Sequence, residues 1–372
     1  MIRVLNISSD QNIGGAGRCI LNFLAHYDRE NFRVDVALPR GSLLKSEVER
    51  LDTRVVEVSG IRDKSLDFGA IKALKTVIRE TDPQVVHTHG AMSGRIAARQ
   101  CGRGVIYTRH SVFPVRPLLA RQPGKWINGK INEHYADAII AVAEAAKENL
   151  TDSGIAPERV EVILNGVQGQ TRLSPEEIVA EKARCGIALD RFVIGILARM
   201  TEVKGHRYLL EAVKRLKEQG RALTLVIAGT GDLEEVLKRQ AEAMDLDDSV
   251  VFAGFVKDIP RLLSILDLQV NASYGTEATS LALLEGMSMG LPAVVTNYGG
   301  NPGVITDNRN GKLVPIQDSG AMAAAILQMM EDKEAYTQMS KACLEIFRQK
   351  FTAETYARNI EAVYRRVAEG RR

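Results

Sequence analysis

Residues 271–300 read NASYGTEATSLALLEGMSMGLPAVVTNYGG. The order is strand end, loop, helix, turn, strand and glycine turn, which is the repeating unit of a parallel α/β sheet. Thr279 and Ser280 are residue types that cap a helix start, and the apolar run after them predicts a helix to about Met289. Gly290 can close that helix in a left-handed conformation, and Pro292 prevents its continuation. Two carboxylates stand eight residues apart, Glu277 in the loop before the helix and Glu285 inside it. The free N–H groups near Ala278 to Leu281 make an anion site of the kind that attracts phosphate. Eight helical residues span about 12 Å. The carboxylates are therefore expected to flank a long polar ligand and hold hydroxyls at both ends.

The run E-A-T-S-L-A-L-L-E-G-M-S-M-G-L-P-A-V-V resembles the E-x7-E signature of the retaining glycosyltransferases of family four, which are built on the GT-B fold. The resemblance implies that Glu277 contacts the sugar of a nucleotide-diphosphate donor and that Glu285 binds the ribose. The sequence departs from the family at two nearby positions. Ala278 stands where glycine is frequent, and Gly303 stands where glutamate is frequent. Both leave the identity of the sugar open.

Working outward, the chain has 372 residues, 45% apolar and 26% charged, the composition of a globular protein of about two domains. Its 49 basic and 46 acidic residues give +3, too even a balance to suggest nucleic acid. Cys19, Cys101, Cys185 and Cys343 show no paired spacing, which fits buried thiols in a reducing compartment. Met1 leads directly into a strand and no apolar run reaches the roughly 20 residues that span a bilayer. A cytoplasmic protein is expected, at most peripheral on the inner face of the membrane.

The first half opens with a strand at Ile2–Ile7, a polar turn holding Gly14, Gly15 and Gly17, and a helix to about His26. This begins a doubly wound domain. The turn is not G-x-G-x-x-G, but Gly14 and Gly15 leave room for backbone N–H groups to meet a phosphate or an acceptor. A later strand ends in His87-Thr88-His89; an H-x-H pair can bind metal, but no third ligand is evident. Another strand leads into Arg109-His110-Ser111. Here the resemblance implies that His110 reaches the donor sugar and its phosphate.

Between Asp82 and Glu133 there is no acidic residue, yet Arg95, Arg99, Arg103, Arg109, Arg116, Arg121, Lys125 and Lys130 all fall there. Phe113, Leu118, Leu119, Trp126 and Ile127 are interleaved with them. Cations among large apolar side chains suit an anionic membrane surface over 109–131. A plain acceptor loop with solvated charges reads the same way. Nucleic acid is not expected, since no binding motif is present.

The second half repeats the alternation. A strand at Phe192–Leu197 leads to Arg199 and Lys204, whose spacing resembles the family's R-x4-K pair that holds the donor pyrophosphate. After the strand at Val250–Ala253, Phe255 and Val256 are expected to line the nucleobase site, with plain core packing as the alternative. Asp245-Leu246-Asp247 has D-x-D form but sits before a strand, so no essential metal and no cofactor beyond the donor is expected.

The expected architecture is two facing Rossmann-like domains with a cleft between them, 1–168 on the acceptor side and 169–353 on the donor side. A final helix, 354–372, should return to the first domain. The implied activity is transfer from a nucleotide-sugar, first among them a UDP-sugar, to a glycan or lipid-linked acceptor. Two alternatives stand beside it: a nucleotide-sugar-binding or membrane-docking protein without transfer activity, and a GT-B nucleotide-sugar epimerase.

Overall fold

The structure is a computed structural model that describes residues 1–61, 66–115 and 117–370. Arg116 lies outside the described residues. The chain divides into two compact domains, one of Met1–Val167 with Lys350–Arg372 and one of Gln168–Gln349.

The N-terminal domain holds strands β1 (Ile2–Ser8), β2 (Phe32–Pro39), β3 (Val55–Val58), β4 (Val85–His89), β5 (Gly104–Arg109), β6 (Ala138–Ala141) and β7 (Val160–Val162). They form one seven-stranded sheet in the order β3-β2-β1-β4-β5-β6-β7, parallel throughout. The C-terminal domain holds β8 (Phe192–Leu197), β9 (Leu223–Ala228), β10 (Val250–Gly254), β11 (Leu268–Asn271), β12 (Ala293–Thr296) and β13 (Gly311–Val314). Its six-stranded parallel sheet has the order β10-β9-β8-β11-β12-β13. Both are doubly wound sheets. The order reverses between β1 and β4 in one and between β8 and β11 in the other. A ligand crevice opens at the carboxyl ends of the strands at such a reversal.

The strands are apolar on both faces because helices cover both. In β8, Ile194 and Ile196 pack with Leu209, Leu225 and Ile326 on one side, while Val193 packs with Leu262, Leu266 and Leu291 on the other. Gly195 is required there, since a Cβ would lie 2.4 Å from Leu266 Cδ1.

The last helix, Ala353–Glu369, belongs to the N-terminal domain. It buries Tyr356, Ile360, Val363, Tyr364 and Val367 against the helix Gly15–His26 and strands β1, β4 and β5. Thr352 caps it and also bridges to Val167. The turn Asn165-Gly166-Val167 is therefore folded into this domain rather than free linker, and a Cβ at Gly166 would meet Thr352 O at 2.3 Å.

The basic stretch is helical where no helix was expected, at Pro117–Ala120 and Gly124–His134. Half of its cations belong to the fold. Arg95 is buried, stacked 4.0 Å from the centroid of the Tyr107 ring. Arg99 pairs with Asp137, and Arg103 with Asp82. Arg109 donates to Ser111 O and Asn149 Oδ1 and lies over the Phe113 ring. These four are structural, so the expected membrane face loses Arg109. Arg121, Lys125 and Lys130 remain, and Lys130 pairs with Glu133.

Among the described residues, no helix is long and apolar enough to cross a membrane.

Candidate functional site

In the C-terminal domain the loops after β8 and β11 meet at the reversal. Tyr274 N donates to Val203 O at 2.9 Å. Gly205, at φ +71°, sits so close to Ala272 that a Cβ would be 2.1 Å from its carbonyl oxygen. Across this seam Lys204 Nζ reaches Glu277 Oε2 at 2.7 Å, although 73 residues separate them. Ser273 Oγ donates to the same oxygen at 3.1 Å, and Asn271 Nδ2 approaches it at 3.5 Å. Among the described residues all three donors converge on Oε2, which leaves Oε1 to accept from a ligand.

The backbone at Glu277 is clamped as well. Gly300 N donates to its carbonyl, and Gly299, at φ +56°, approaches it so closely that a Cβ would lie 2.0 Å away. The preceding residue, Thr276, holds φ +57°, a left-handed conformation that β-branched residues rarely adopt. Local strain is thus held at the residue that aims the carboxylate.

Four residues on, Ser280 caps the helix Leu281–Ser288 by accepting from Leu283 N. The helix start stands where it was expected, with Gly290 at φ +75° after its end. Only Leu281 to Glu285 of the stretch between the two glutamates is helical, so the 12 Å reckoned for a continuous helix does not describe their separation. Thr279 and Glu285 are half-buried beside this start and on this helix. Ala278 is buried, while a Cβ at Gly303 would meet nothing within 4 Å.

Arg199 is exposed on the same loop as Lys204. Phe255 follows β10 and is 69% exposed, which overturns its reading as core; Val256 is partly buried against the Leu262–Leu266 cluster. Asp245 sits in a tight turn before β10, away from the carboxyl ends, at φ +54°. Among the described residues, no group of three or more His, Cys, Asp or Glu is placed to hold a metal ion.

His206 was not foreseen. It starts the helix His206–Glu218, is 2% exposed, and neither ring nitrogen has a hydrogen-bond partner among the described residues. Burial, with the charge of Lys204 adding to it, holds its pKa down to about 4.

In the N-terminal domain, Gly14 and Gly15 stand exposed at the start of the helix Gly15–His26, with ordinary φ at Gly14; a Cβ there would lie 4.0 Å from Asp10 Oδ2, an ordinary contact, and one at Gly15 would meet nothing within 4 Å. No steric demand of the fold selects glycine at either position. His110 follows β5. It is half-buried rather than a free surface histidine, and its Nε2 lies 2.8 Å from Nδ1 of His89 at the end of β4. His89 Nε2 lies 2.9 Å from Asn6 Oδ1 in β1. His87 is buried between Tyr364 and Thr108. Burial pushes His110 down to about 4 and His87 to about 3, and His89 well below its ordinary value. All three rings are neutral near pH 7. The H-x-H pair is thus tied into protein hydrogen bonds. Asn6 had a readable signal: an amide between Leu5 and Ile7 in the apolar middle of a strand.

On the helix Gly124–His134 the inner face is close-packed. A Cβ at Gly129 would lie 1.8 Å from Gly154 O, one at Gly154 would lie 1.9 Å from Lys125 O, and Asn128 Nδ2 donates to Ser153 O at 2.6 Å. The outer face is apolar. Trp126, Ile127 and Ile131 are 59%, 46% and 44% exposed, beside Lys130 and near the exposed Arg121 and Phe113.

Comparison with known proteins agrees with this geometry. Residues 13–169 match glycosyltransferase family 4, and residues 178–344 match glycosyl transferases group 1. The amylovoran biosynthesis glycosyltransferase AmsK of Erwinia amylovora is 30% identical over 312 residues, covering 81% of this chain and 69% of that protein. The UDP-Gal:alpha-D-GlcNAc-diphosphoundecaprenol alpha-1,3-galactosyltransferase of Escherichia coli is 29% identical over 297 residues, covering 74% of each. The crystal structure of Anabaena Alr3699/HepE in complex with UDP superposes with a TM-score of 0.84 at 22% identity, covering 97% of this chain and 99% of that one. Two parallel Rossmann-like domains and these relatives place the chain among the family-four glycosyltransferases of GT-B fold.

Proposed function

We propose that this protein is a retaining glycosyltransferase that moves a sugar from a UDP-sugar to a glycan or lipid-linked acceptor in cell-surface polysaccharide or glycolipid synthesis. The observation that carries the reading is the Lys204–Glu277 pair, drawn across the strand-order reversal next to a capped helix start. Cations and amide dipoles at that point suit a diphosphate, and a carboxylate with one oxygen unclaimed suits a sugar hydroxyl.

In this mechanism Arg199, Lys204 and the N–H groups near Thr279 and Ser280 neutralise the diphosphate as it leaves. They take the part that a divalent ion plays in other transferases, so no metal is required. Glu285 holds the ribose, Phe255 and Val256 lie by the base, and Glu277 and His110 orient the sugar. Attack comes from the face the diphosphate leaves, and the departing phosphate oxygen accepts the acceptor's proton. UDP is favoured as the carrier because HepE was solved with it and the Escherichia coli relative is named for UDP-galactose.

We also propose that the outer face of Gly124–His134 docks the protein on an anionic membrane, as a peripheral contact near a lipid-linked acceptor. The apolar row Trp126, Ile127 and Ile131 with the exposed Arg121 and Lys130 supports it, while the half-buried Lys125 packs its stem toward Gly154. Each cation near such a surface contributes about 1 kcal/mol. Replacing Arg121 and Lys130 by Glu should therefore cut binding to phosphatidylglycerol vesicles by at least about tenfold. Unchanged co-sedimentation would refute the docking.

The catalytic reading is tested with purified protein, a panel of radiolabelled UDP-sugars and undecaprenyl-diphosphate-linked sugar, with and without EDTA. Transfer with retained anomeric configuration, unaffected by EDTA, is expected. Binding of donor with neither transfer nor hydrolysis would favour a non-catalytic protein. Turnover of donor to an epimer with no acceptor would favour an epimerase.

A further inference from the structure

Asn6, His89 and His110 of the N-terminal domain form a directed chain. His89 Nε2 lies 2.9 Å from Asn6 Oδ1, and that oxygen also faces the Tyr364 hydroxyl at 3.5 Å. Asn6 turns its oxygen to the ring and leaves its buried Nδ2 without a partner among the described residues; an amide oxygen only accepts, so His89 Nε2 carries the hydrogen. A neutral imidazole carries one hydrogen, so His89 Nδ1 is bare. His110 Nε2, 2.8 Å from that bare nitrogen, must donate to it. The second nitrogen of His110 is then bare in turn, and His110 Nδ1 is buried without a hydrogen-bond partner among the described residues. Neutrality of both rings follows from their enclosure, which pushes their pKa values far down.

We propose that Asn6 and His89 are positioning residues that lock His110 in its Nε2–H form. The site then offers a lone pair at Nδ1 that accepts a hydroxyl hydrogen of the bound sugar and turns away phosphate oxygens. This rests on the glycosyl-transfer reading for the ligand, but the lock itself stands on hydrogen bonds within one domain. A histidine that instead served the phosphate would need its hydrogen at Nδ1.

The test is a long-range proton–nitrogen correlation spectrum of protein labelled with 15N-histidine at pH 7. The chain has six histidines, and the missing signals of His110→Gln and His89→Gln assign the two rings. The expected spectrum shows His110 protonated at Nε2 and bare at Nδ1. A hydrogen on Nδ1 of His110 in the parent protein overturns the lock. In Asn6→Ala, His110 should become a mixture of tautomers, and kcat for transfer should fall about tenfold with donor KM changed less. A single Nε2–H form persisting in Asn6→Ala overturns the role of Asn6. Adding UDP-glucose or UDP-galactose, whichever supports transfer, should move the bare Nδ1 resonance, while UDP or inorganic diphosphate should not. An equal shift with UDP alone overturns the hydroxyl assignment. If no UDP-sugar is turned over and yet the Nε2–H form is found, the glycosyl-transfer reading fails and the lock survives. An active enzyme with Nδ1–H fails the lock and spares the activity.

Discussion

Lys204→Met removes the cation that pairs with Glu277 Oε2 while keeping most of the side-chain stem. At 2.7 Å and an effective dielectric constant near 20, the pair attracts by about 6 kcal/mol, most of it offset by desolvation. Breaking a buried pair costs about 3–5 kcal/mol. The Lys204 side chain is 19% exposed against 8% for Glu277, so solvent screening puts this one lower, at about 2–3 kcal/mol. Only Ser273 would then hold Oε2 closely, with Asn271 at the edge of hydrogen-bond range. For a domain of this size the loss means a melting temperature lower by roughly 5–10 °C. Transfer should fall at least about 10²-fold, as it does on loss of one transition-state contact. The double variant Lys204→Met/Glu277→Gln has no charge left to strand. It should regain more than half of the lost stability while staying as inactive as the single variant. Differential scanning calorimetry and initial-rate assays on the three proteins measure both quantities. A Lys204→Met protein melting within about 1 °C of the parent, or a double variant whose losses simply add, would refute the reasoning.

His206 makes stability of the C-terminal domain sensitive to acid. Its folded pKa of about 4 lies below its ordinary 6.5, so the unfolded chain binds the proton first. Stability is then lost as pH falls from about 6.5 to about 4, by up to about 3 kcal/mol. His206→Leu should flatten the melting temperature against pH over that window; an unchanged slope would count against it. Gly299→Ala forces a Cβ to within 2.0 Å of Glu277 O at a left-handed φ. It should cost at least about 2 kcal/mol and lower transfer by shifting Glu277. A variant with parental melting and rate would show that the loop has room to spare.

What could be read from residues alone follows the physics of parallel sheets. Strands such as Phe192–Leu197 and Leu223–Ala228 are bounded in the structure as their apolar runs predict, because both faces are covered and nothing interrupts the run. The helix His206–Glu218 was equally legible from its strong amphipathic period. Glu277, Lys204 and Ser280 were legible because each sits beside a strand end or a helix start. Their support was not. Asn271 and Ser273 earn their place only once the strand β11 turns their side chains toward Glu277, and periodicity does not tell which loop polar group will turn inward. The acid-free stretch misled for a related reason. Arg99 finds Asp137 and Arg95 finds Asn132 across some 37 or 38 residues, so cations that look like a surface in sequence are spoken for in space. The Asn6–His89–His110 chain joins three separate strands at their carboxyl ends. Only the strand order β1-β4-β5 reveals it.

The helix that carries Trp126 is fastened backbone to backbone, glycine against glycine, so its outward row has a single bearing with respect to the seven-stranded sheet. Side chains on a slack tether would settle on any surface at any angle. A rigid mount discriminates by tilt as well as by chemistry. Whatever it lands on therefore sets the compass heading of the whole sheet, His110 included.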